Sequence, residues 1–211
     1  MNCCLCSNLA SGRAPEAWNN PLFESANFVS LPSLGSLVEG WLLLVPRHHF
    51  ICMGALPGHL AHEMQTLKDS VRSGLSRKYG DICIFEHGPS AAKRSVGCGV
   101  DHAHLHIVPL NFDLVQAAAS FLPPNLCWSQ ANWAGCRAAF QRGDDYLYVE
   151  QPPGRGRIAV HEAFPSQVFR KAIAARLGIP EQFNWREHPH TEAVARTIYE
   201  LSVFSDSRPA G

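Results

Sequence analysis

Three histidines alternate with apolar residues in His102-Ala103-His104-Leu105-His106, and their spacing is the strongest chemical signal in the chain. Successive side chains of a strand point to opposite faces, so a strand here would place the three imidazoles on one face, about 6.6 Å apart. Ala103 and Leu105 would anchor the other face to a core. Three histidines on one face would be costly to desolvate without a ligand, so the spacing predicts a functional surface.

Two kinds of chemistry suit such a surface. A neutral imidazole can attack phosphorus and form a phosphoramidate, while a neighbouring imidazole donates hydrogen bonds to the phosphate oxygens. His104 is then the natural nucleophile, because it has a histidine on each side. The alternative is a catalytic divalent metal on the three histidines, to which Asp101 and Glu86 would contribute and which predicts chelator-sensitive activity.

The composition limits the class of protein. The chain has 211 residues, of which 46% are hydrophobic, so we expect one domain, or one domain with a sizeable extension. The formal net charge is +0, and we therefore expect no nucleic-acid partner and no membrane surface as partner. The first residues lack the basic and apolar runs of a signal peptide, which favours a cytoplasmic protein with reduced cysteines.

Helical and strand patterns are mixed along the chain without regular alternation. Apolar residues recur every three or four positions from Pro57 to Gly80, which predicts an amphipathic helix closed by Gly80. Val100 to Val108 is predicted to be the histidine strand, and Tyr146 to Glu150 is predicted to form a hairpin with Arg157 to Val160. We therefore predict an α+β fold with an antiparallel sheet.

The histidine pattern and its flanks resemble the histidine triad (HIT) superfamily, whose signature is His-x-His-x-His with apolar residues between. The flanks that carry the resemblance are Gly40 to His49, Glu86 to Pro89 and Gly97 to Val100. The resemblance implies a HIT-like antiparallel sheet with packed helices in residues 1–112. Residues 113–211 would form a mixed helical and hairpin C-terminal extension of unknown role.

The resemblance also implies a nucleotidyl hydrolase that cleaves at the α-phosphate through a nucleotidyl-histidine intermediate. The substrate would be a nucleotide conjugate of the dinucleoside polyphosphate or phosphoramidate type. Related nucleotidyltransferases have Gln at the position of the third histidine, so His106 favours a hydrolase. A nucleotidyltransferase or phosphorylase remains the alternative within the superfamily, and a nucleotide-binding module without catalysis is a further one.

Carried onto this chain, the resemblance makes His104 the nucleophile and His106 a phosphate contact. Three positions depart from the family pattern. Cys98 stands in place of a Gln that contacts phosphate, Ser33 in place of the Asp or Asn that binds ribose, and Trp41 in place of a His.

Other substrate contacts are expected near these positions. Lys93 and Arg94 would contact phosphates in place of the missing Gln, although a solvated pair on a loop is the commoner role of such residues. Phe28 would line a nucleoside pocket or, equally well, pack in the core.

The chain begins with a Cys-x-x-Cys pair at the spacing of zinc ligands. Some superfamily members combine such a pair with two histidines, and the matching residues form a structural Zn²⁺ site of Cys3, Cys6, His49 and His102. Cys4 would be an alternative to Cys3, and His48 to His49, while unliganded thiols at a frayed N-terminus are the non-metal alternative. No redox cofactor is expected.

The C-terminal half lies largely outside the resemblance. Helix N-termini attract anions, so the helix predicted to begin near Ser166, with Arg170 and Lys171, would be able to reach over the active site. A packing helix with solvated charges is the commoner outcome. Trp18 and Trp185 are predicted to pack rather than to stack on a base. A homodimer is possible by analogy with the superfamily.

Overall fold

The structure, a computed structural model, describes residues 3–10, 16–97 and 99–206, with side chains up to residue 202. Within these ranges the chain forms six α-helices and eight strands. The helices are α1 (Cys4–Ala10), α2 (Ala61–Tyr79), α3 (Leu114–Ala118), α4 (Trp133–Arg142), α5 (Val168–Arg176) and α6 (Thr191–Asp206). The strands are β1 (Phe23–Glu24), β2 (Phe28–Pro32), β3 (Leu42–Pro46), β4 (Ile82–Gly88), β5 (Leu105–Pro109), β6 (Ser129–Gln130), β7 (Tyr146–Glu150) and β8 (Gly156–Val160).

All eight strands belong to one antiparallel sheet with the order β1-β2-β3-β5-β4-β7-β8-β6. The α+β class with an antiparallel sheet is therefore confirmed. The predicted hairpin is also confirmed, because Tyr146 pairs with Val160 and Glu150 with Gly156. β7 pairs with β4 as well, so strands from both halves of the chain share the sheet. The division into residues 1–112 and 113–211 stays a prediction.

The alternation of side chains along β4 and β5 creates two apolar cores on opposite faces of the sheet. Ile84 and Leu105 belong to the core covered by α2, whose buried residues recur at helical spacing. Phe85 and Val108 belong to the second core, where α5 contributes Phe169. The chain is thus a sheet between helical layers, and the two faces have different neighbours.

The predicted amphipathic helix is confirmed as α2. Gly80 follows its last residue with φ of +81°, a conformation that favours glycine, and its N–H donates to the carbonyl of Ser76. Among the helices that the structure describes, none is both long and apolar enough to cross a membrane.

The predicted histidine strand is wrong in its first half, because hydrogen-bonded strand β5 begins only at Leu105. The N–H of Ala103 donates to the carbonyl of Phe50, 2.6 Å away, instead of to a neighbouring strand. His102 and His104 therefore precede the ladder, and only His106 lies within it. Ala103 and Leu105 do pack in the α2 core, as the alternating pattern predicts.

Candidate functional site

A cavity of about 260 Å³ lies beside the histidines, on the face of the sheet opposite α2. His104 and His106 line it together with Leu31 and Leu43 from β2 and β3. Two separate elements complete the walls: α1 contributes Leu5 and neighbouring residues, and the C-terminal half contributes Arg170 and Trp185. A larger groove of about 650 Å³ lies along α4 and β8, but no histidine or carboxylate is among the described residues that line it. The smaller cavity is therefore the candidate site.

A backbone contact shows which ring nitrogen of His104 carries the hydrogen. Nδ1 lies 2.7 Å from the backbone carbonyl oxygen of His102, and a carbonyl only accepts, so Nδ1–H is the donor. In the neutral ring the lone pair is then on Nε2. A local backbone contact thus fixes the tautomer that a nucleophilic imidazole needs.

His106 is held in the opposite tautomer. The indole N–H of Trp41 donates to His106 Nδ1 over 3.0 Å, so the neutral ring carries its hydrogen on Nε2. That Nε2 is buried and has no hydrogen-bond partner among the described residues. The ring of Phe85 stacks on the imidazole at 4.4 Å between centroids. His106 therefore presents one unsatisfied N–H donor in a rigid position.

Burial keeps His106 and its neighbour His87 neutral. Burial is the main cause that lowers the pKa of His106 well below its ordinary value, and the neighbouring basic groups of His104, His87 and Arg170 lower it further. The pKa of His87 falls to about 3 for the same reasons. His87 Nε2 accepts the N–H of Phe169, 3.4 Å away, while its Nδ1 has no partner within the described part of the chain. Both rings are therefore neutral hydrogen-bond donors at neutral pH.

A cluster of two cysteines and two histidines lies next to the triad. The ligand atoms of Cys3, Cys6, His49 and His102 all lie within 4.8 Å of one another, and the four side chains could hold a metal ion. His102 Nδ1 is 3.3 Å from the Cys3 sulfur, and His49 Nδ1 is 3.4 Å from the Cys6 sulfur. Zn–S bonds of about 2.3 Å and Zn–N bonds of about 2.0 Å at tetrahedral angles would separate sulfur from nitrogen by about 3.5 Å.

The orientation of His102 also fits metal binding. Its Nε2 lies 2.8 Å from the carbonyl oxygen of Pro46, so Nε2–H donates and the lone pair of Nδ1 points towards the two sulfur atoms. Such a hydrogen bond from the second ring nitrogen is the usual support of a metal-ligating histidine. The donor set and the separations therefore fit Zn²⁺. Cys4 is exposed, and the structure brings Cys3 and His49, not Cys4 and His48, into the cluster.

Of the remaining residues predicted to contact substrate, some line the cavity and others do not. Ser33 lines the cavity, where the resemblance puts a ribose contact, and its side chain is buried. Phe28 is fully buried in the α2 core and is not among the residues that line the cavity. Cys98 lies outside the described residues.

Lys93 and Arg94 do not line the cavity among the described residues. Arg94 Nε donates to Asp145 over 2.9 Å, and the Asp145 side chain is fully buried. The N–H of Lys93 donates to the carboxylate of Asp101. Their contact with phosphate stays a prediction.

Three residues for which the sequence favoured another role line the cavity. Trp18 and Trp185 line the cavity, although they were predicted only to pack. Arg170 of α5 also lines it and is 1% exposed, so the expectation of a solvated charge is wrong for this residue. Neither tryptophan has a local motif that signals a ligand. For Arg170 the available signal was the basic helix N-terminus near Ser166.

Comparisons with known proteins give weak similarity. No family model matches the sequence. The chain is 28% identical over 207 residues to a zinc finger CCCH domain-containing protein 64 from Arabidopsis thaliana, a match that covers 83% of this chain. The chain spans about a third (32%) of the length of that curated relative.

Solved structures similar to this chain include proteins described as histidine triad or HIT-like. One is a hypothetical histidine triad nucleotide-binding protein from Sulfolobus tokodaii, with a TM-score of 0.43 and 16% identity over 67% of this chain and 91% of that chain. A second is a Hit-like protein involved in cell-cycle regulation from Bartonella henselae, with a TM-score of 0.42 and 13% identity over 51% of this chain and 79% of that chain. A hypothetical protein from Leishmania major matches with a TM-score of 0.43 and 19% identity over 53% of this chain and 75% of that chain.

Proposed function

We propose that this protein is a histidine triad nucleotidyl hydrolase that cleaves a nucleotide conjugate at its α-phosphate. One observation carries the proposal: His104 and His106 line the same cavity in complementary tautomers. The lone pair of His104 Nε2 is suited to attack phosphorus, and the unsatisfied N–H of His106 is suited to hold a phosphate oxygen.

The reaction would proceed in two displacements. In the first, His104 Nε2 forms a bond to the α-phosphorus while the bond from phosphorus to the leaving group breaks, and the leaving group departs with the electron pair and takes a proton from the solvent. In the second, water attacks the same phosphorus and gives up a proton to the solvent, the P–N bond breaks, and a nucleoside monophosphate is released with His104 restored. The carbonyl of His102 supports this role, because it accepts the Nδ1–H hydrogen bond and favours the ring as positive charge develops on it.

The substrate class follows from the cavity and the histidines together. Leu31, Leu34 and Leu43 supply apolar surface, and Trp18 and Trp185 supply flat aromatic surface, which suits a nucleobase. A volume of about 260 Å³ is small and favours one nucleoside phosphoryl group inside the cavity, with the leaving group outside it. Dinucleoside polyphosphates and phosphoramidates both consist of a nucleoside phosphoryl group joined to a leaving group. A nucleotidyltransferase would differ from a hydrolase only in the acceptor of the second step, which would replace water.

The competing function, a catalytic metal on the three triad histidines, has less support. Within the described residues, the one group of potential ligands that converges pairs His102 with Cys3 and Cys6. Glu86, which would have helped to bind such a metal, accepts the N–H of Met53 and the hydroxyl of Tyr146 instead.

Intact-mass measurement after incubation with nucleotide conjugates tests the proposal. The panel contains a dinucleoside polyphosphate and a nucleoside phosphoramidate for each of the four bases. We expect wild type to gain the mass of one nucleoside monophosphate minus water, and His104→Ala to gain none and to lose turnover by at least about 10⁴-fold.

His188→Ala is the matched control, because this histidine is not among the residues that line the cavity, and it should behave as wild type. Turnover by His104→Ala at the wild-type rate would refute the proposal. Wild type without adduct and without turnover across the panel would favour a nucleotide-binding module.

We also propose that the Cys/His cluster holds a structural Zn²⁺. Four protein ligands leave no open coordination position, so the ion would stabilise the fold and take no part in the reaction. Cys3 and Cys6 would attach α1 to the histidine segment, and α1 supplies Cys4, Leu5 and Asn8 to the cavity wall.

The zinc content of purified variants tests this second proposal. Wild type should hold one zinc per chain, Cys6→Ser should hold almost none, and its unfolding temperature should fall. Cys4→Ser is the matched control from the same turn of helix and should keep its zinc. Equal zinc content in all three proteins would refute the assignment.

A further inference from the structure

Arg170 is a fully buried cation that the C-terminal half of the chain brings to the cavity wall. Its neighbours on α5, among them Phe169 and Ile173, pack in the second core and fix the helix against the sheet. Arg170 Nε donates to the carbonyl of Phe183 over 2.8 Å, and a terminal nitrogen donates to the carbonyl of Gly35. These contacts hold the guanidinium rigidly.

Trp41 connects Arg170 to the triad. The guanidinium lies over the face of the Trp41 indole, 4.9 Å from Cζ to the ring centroid, and the edge of the same indole donates to His106. One aromatic side chain therefore orients both the guanidinium and the unsatisfied imidazole N–H. Both groups line the cavity that His104 also lines.

The electrostatics of the cavity single out Arg170. Among the described residues that line it, Arg170 is the only lysine or arginine, and no aspartate or glutamate is present. His106 and the nearby His87 are neutral at physiological pH because burial lowers their pKa values. A phosphoryl group that binds there would meet neutral donors and one fixed positive charge. Guanidinium groups match phosphate oxygens in both charge and geometry.

We propose that Arg170 is a phosphate-binding residue, which contacts a non-bridging oxygen of the phosphoryl group that His104 attacks, beside the Nε2–H of His106. This inference rests on the proposed function and deepens it, because it makes the C-terminal half part of the active site. A single fixed cation suits the α-phosphoryl group of a nucleotide conjugate, which carries one negative charge.

Ligand binding to the full chain tests the inference without requiring turnover. Calorimetry is used to measure the affinities of the four nucleoside monophosphates and of the four matching nucleosides. In Arg170→Gln we expect the affinity for the preferred monophosphate to fall about 10- to 100-fold and the affinity for its nucleoside to change less than about threefold. Arg170→Lys keeps the charge and loses the planar fork, so its monophosphate affinity should lie between those of wild type and Arg170→Gln.

Lys171→Gln is the matched control. Lys171 is the next residue on α5, its ammonium lies over the Phe183 ring, and it is not among the cavity-lining residues. Its affinities for nucleoside and monophosphate should both equal those of wild type. Far-UV circular dichroism and the unfolding temperature of each variant establish that the fold is kept, and Arg170→Lys serves as the test if Arg170→Gln does not fold.

The outcomes separate this inference from the proposed function. Equal losses of nucleoside and monophosphate affinity in the Arg170 variants would mean a structural role and would overturn the inference. Unchanged monophosphate affinity in a folded variant would overturn it as well, while a nucleotidyl adduct on His104 would leave the proposed function in place. If wild type bound no monophosphate and formed no adduct, both would fail.

Discussion

Glu86 and His87 are adjacent on β4, and they belong to two polar clusters on opposite faces of the sheet. On the α2 side, Glu86 accepts the N–H of Met53 and the hydroxyl of Tyr146, each at 2.6 Å. That hydroxyl also accepts the N–H of Gly54 at 3.0 Å. Burial raises the pKa of Glu86 to about 7, yet both of its carboxylate oxygens have hydrogen-bond partners.

The cluster on the other face is buried equally well and is left incomplete. His87 Nδ1 and His106 Nε2 have no hydrogen-bond partner within the described residues. An unpaired buried polar group costs about 1–3 kcal/mol, so a ligand that forms hydrogen bonds with these two ring nitrogens would recover that cost. The difference teaches that the Glu86 cluster is complete within the fold, while the histidine cluster has two ring nitrogens that a ligand of the proposed function would satisfy.

The largest expected effect is on the histidine side. Trp41→Phe removes the N–H that fixes the His106 tautomer, and we expect kcat to fall about 100-fold because the Nε2–H of His106, the donor proposed to hold a phosphate oxygen, is no longer oriented. Steady-state kinetics on the substrate identified by the mass experiment measure this effect. An unchanged kcat in a folded Trp41→Phe protein would contradict the ligand role of the histidine cluster.

On the scaffold side the expected effect is on stability. Tyr146→Phe leaves Glu86 and the N–H of Gly54 short of a partner, which should lower the free energy of unfolding by about 1–3 kcal/mol. Urea denaturation measures this loss, and kcat should stay within about twofold of wild type. A large loss of kcat with unchanged stability would contradict a purely structural role of the Glu86 cluster.

The pH dependence of stability provides the smallest expected effect. The pKa of His87 is about 3 in the folded chain and near its ordinary 6.5 in the unfolded chain, so the unfolded chain takes up the extra proton. The contribution of His87 is thus present above pH 6.5 and is lost as the pH falls towards 3. At pH 5.5, wild type should have lost about 1.3 kcal/mol more stability than His87→Gln, both relative to pH 7.

Urea denaturation of both proteins from pH 7 to pH 5 measures this difference, and parallel curves would show that His87 is not held neutral. Glu86→Gln is the contrasting variant, because the raised pKa of Glu86 has the opposite sign. Its contribution is present below pH 4.5 and is lost as the pH rises through about 7. As the pH rises through about 7, the Glu86→Gln protein should therefore lose less stability than wild type.

Much of the scaffold was predictable from local patterns. The helical spacing of apolar residues and the terminal Gly80 define α2, and the alternation around the histidines places Leu105 in the α2 core. The β7–β8 hairpin follows from its turn residues. Each of these features depends on side chains close in sequence, whose relative positions are fixed by helix or strand geometry.

The start of β5 was not predictable by the same means. Alternation alone continues through His102 and His104, but the backbone of Ala103 pairs with Phe50 and the ring of His102 turns towards Cys3, Cys6 and Pro46. These partners lie far from the histidine segment in sequence. The periodicity shows which residues alternate, and the tertiary neighbours decide where the ladder begins.

The sequence by itself determined which reactive side chains are present, namely three alternating histidines and a Cys-x-x-Cys pair, and it predicted an antiparallel α+β fold. Only the tertiary structure decided which neighbours each histidine has, with His102 beside the cysteines and His106 beside Trp41. It also placed Arg170 against the carbonyl of Gly35, 135 positions away in sequence. Such contacts depend on the order of strands and on helix packing across the sheet, which local spacing does not encode.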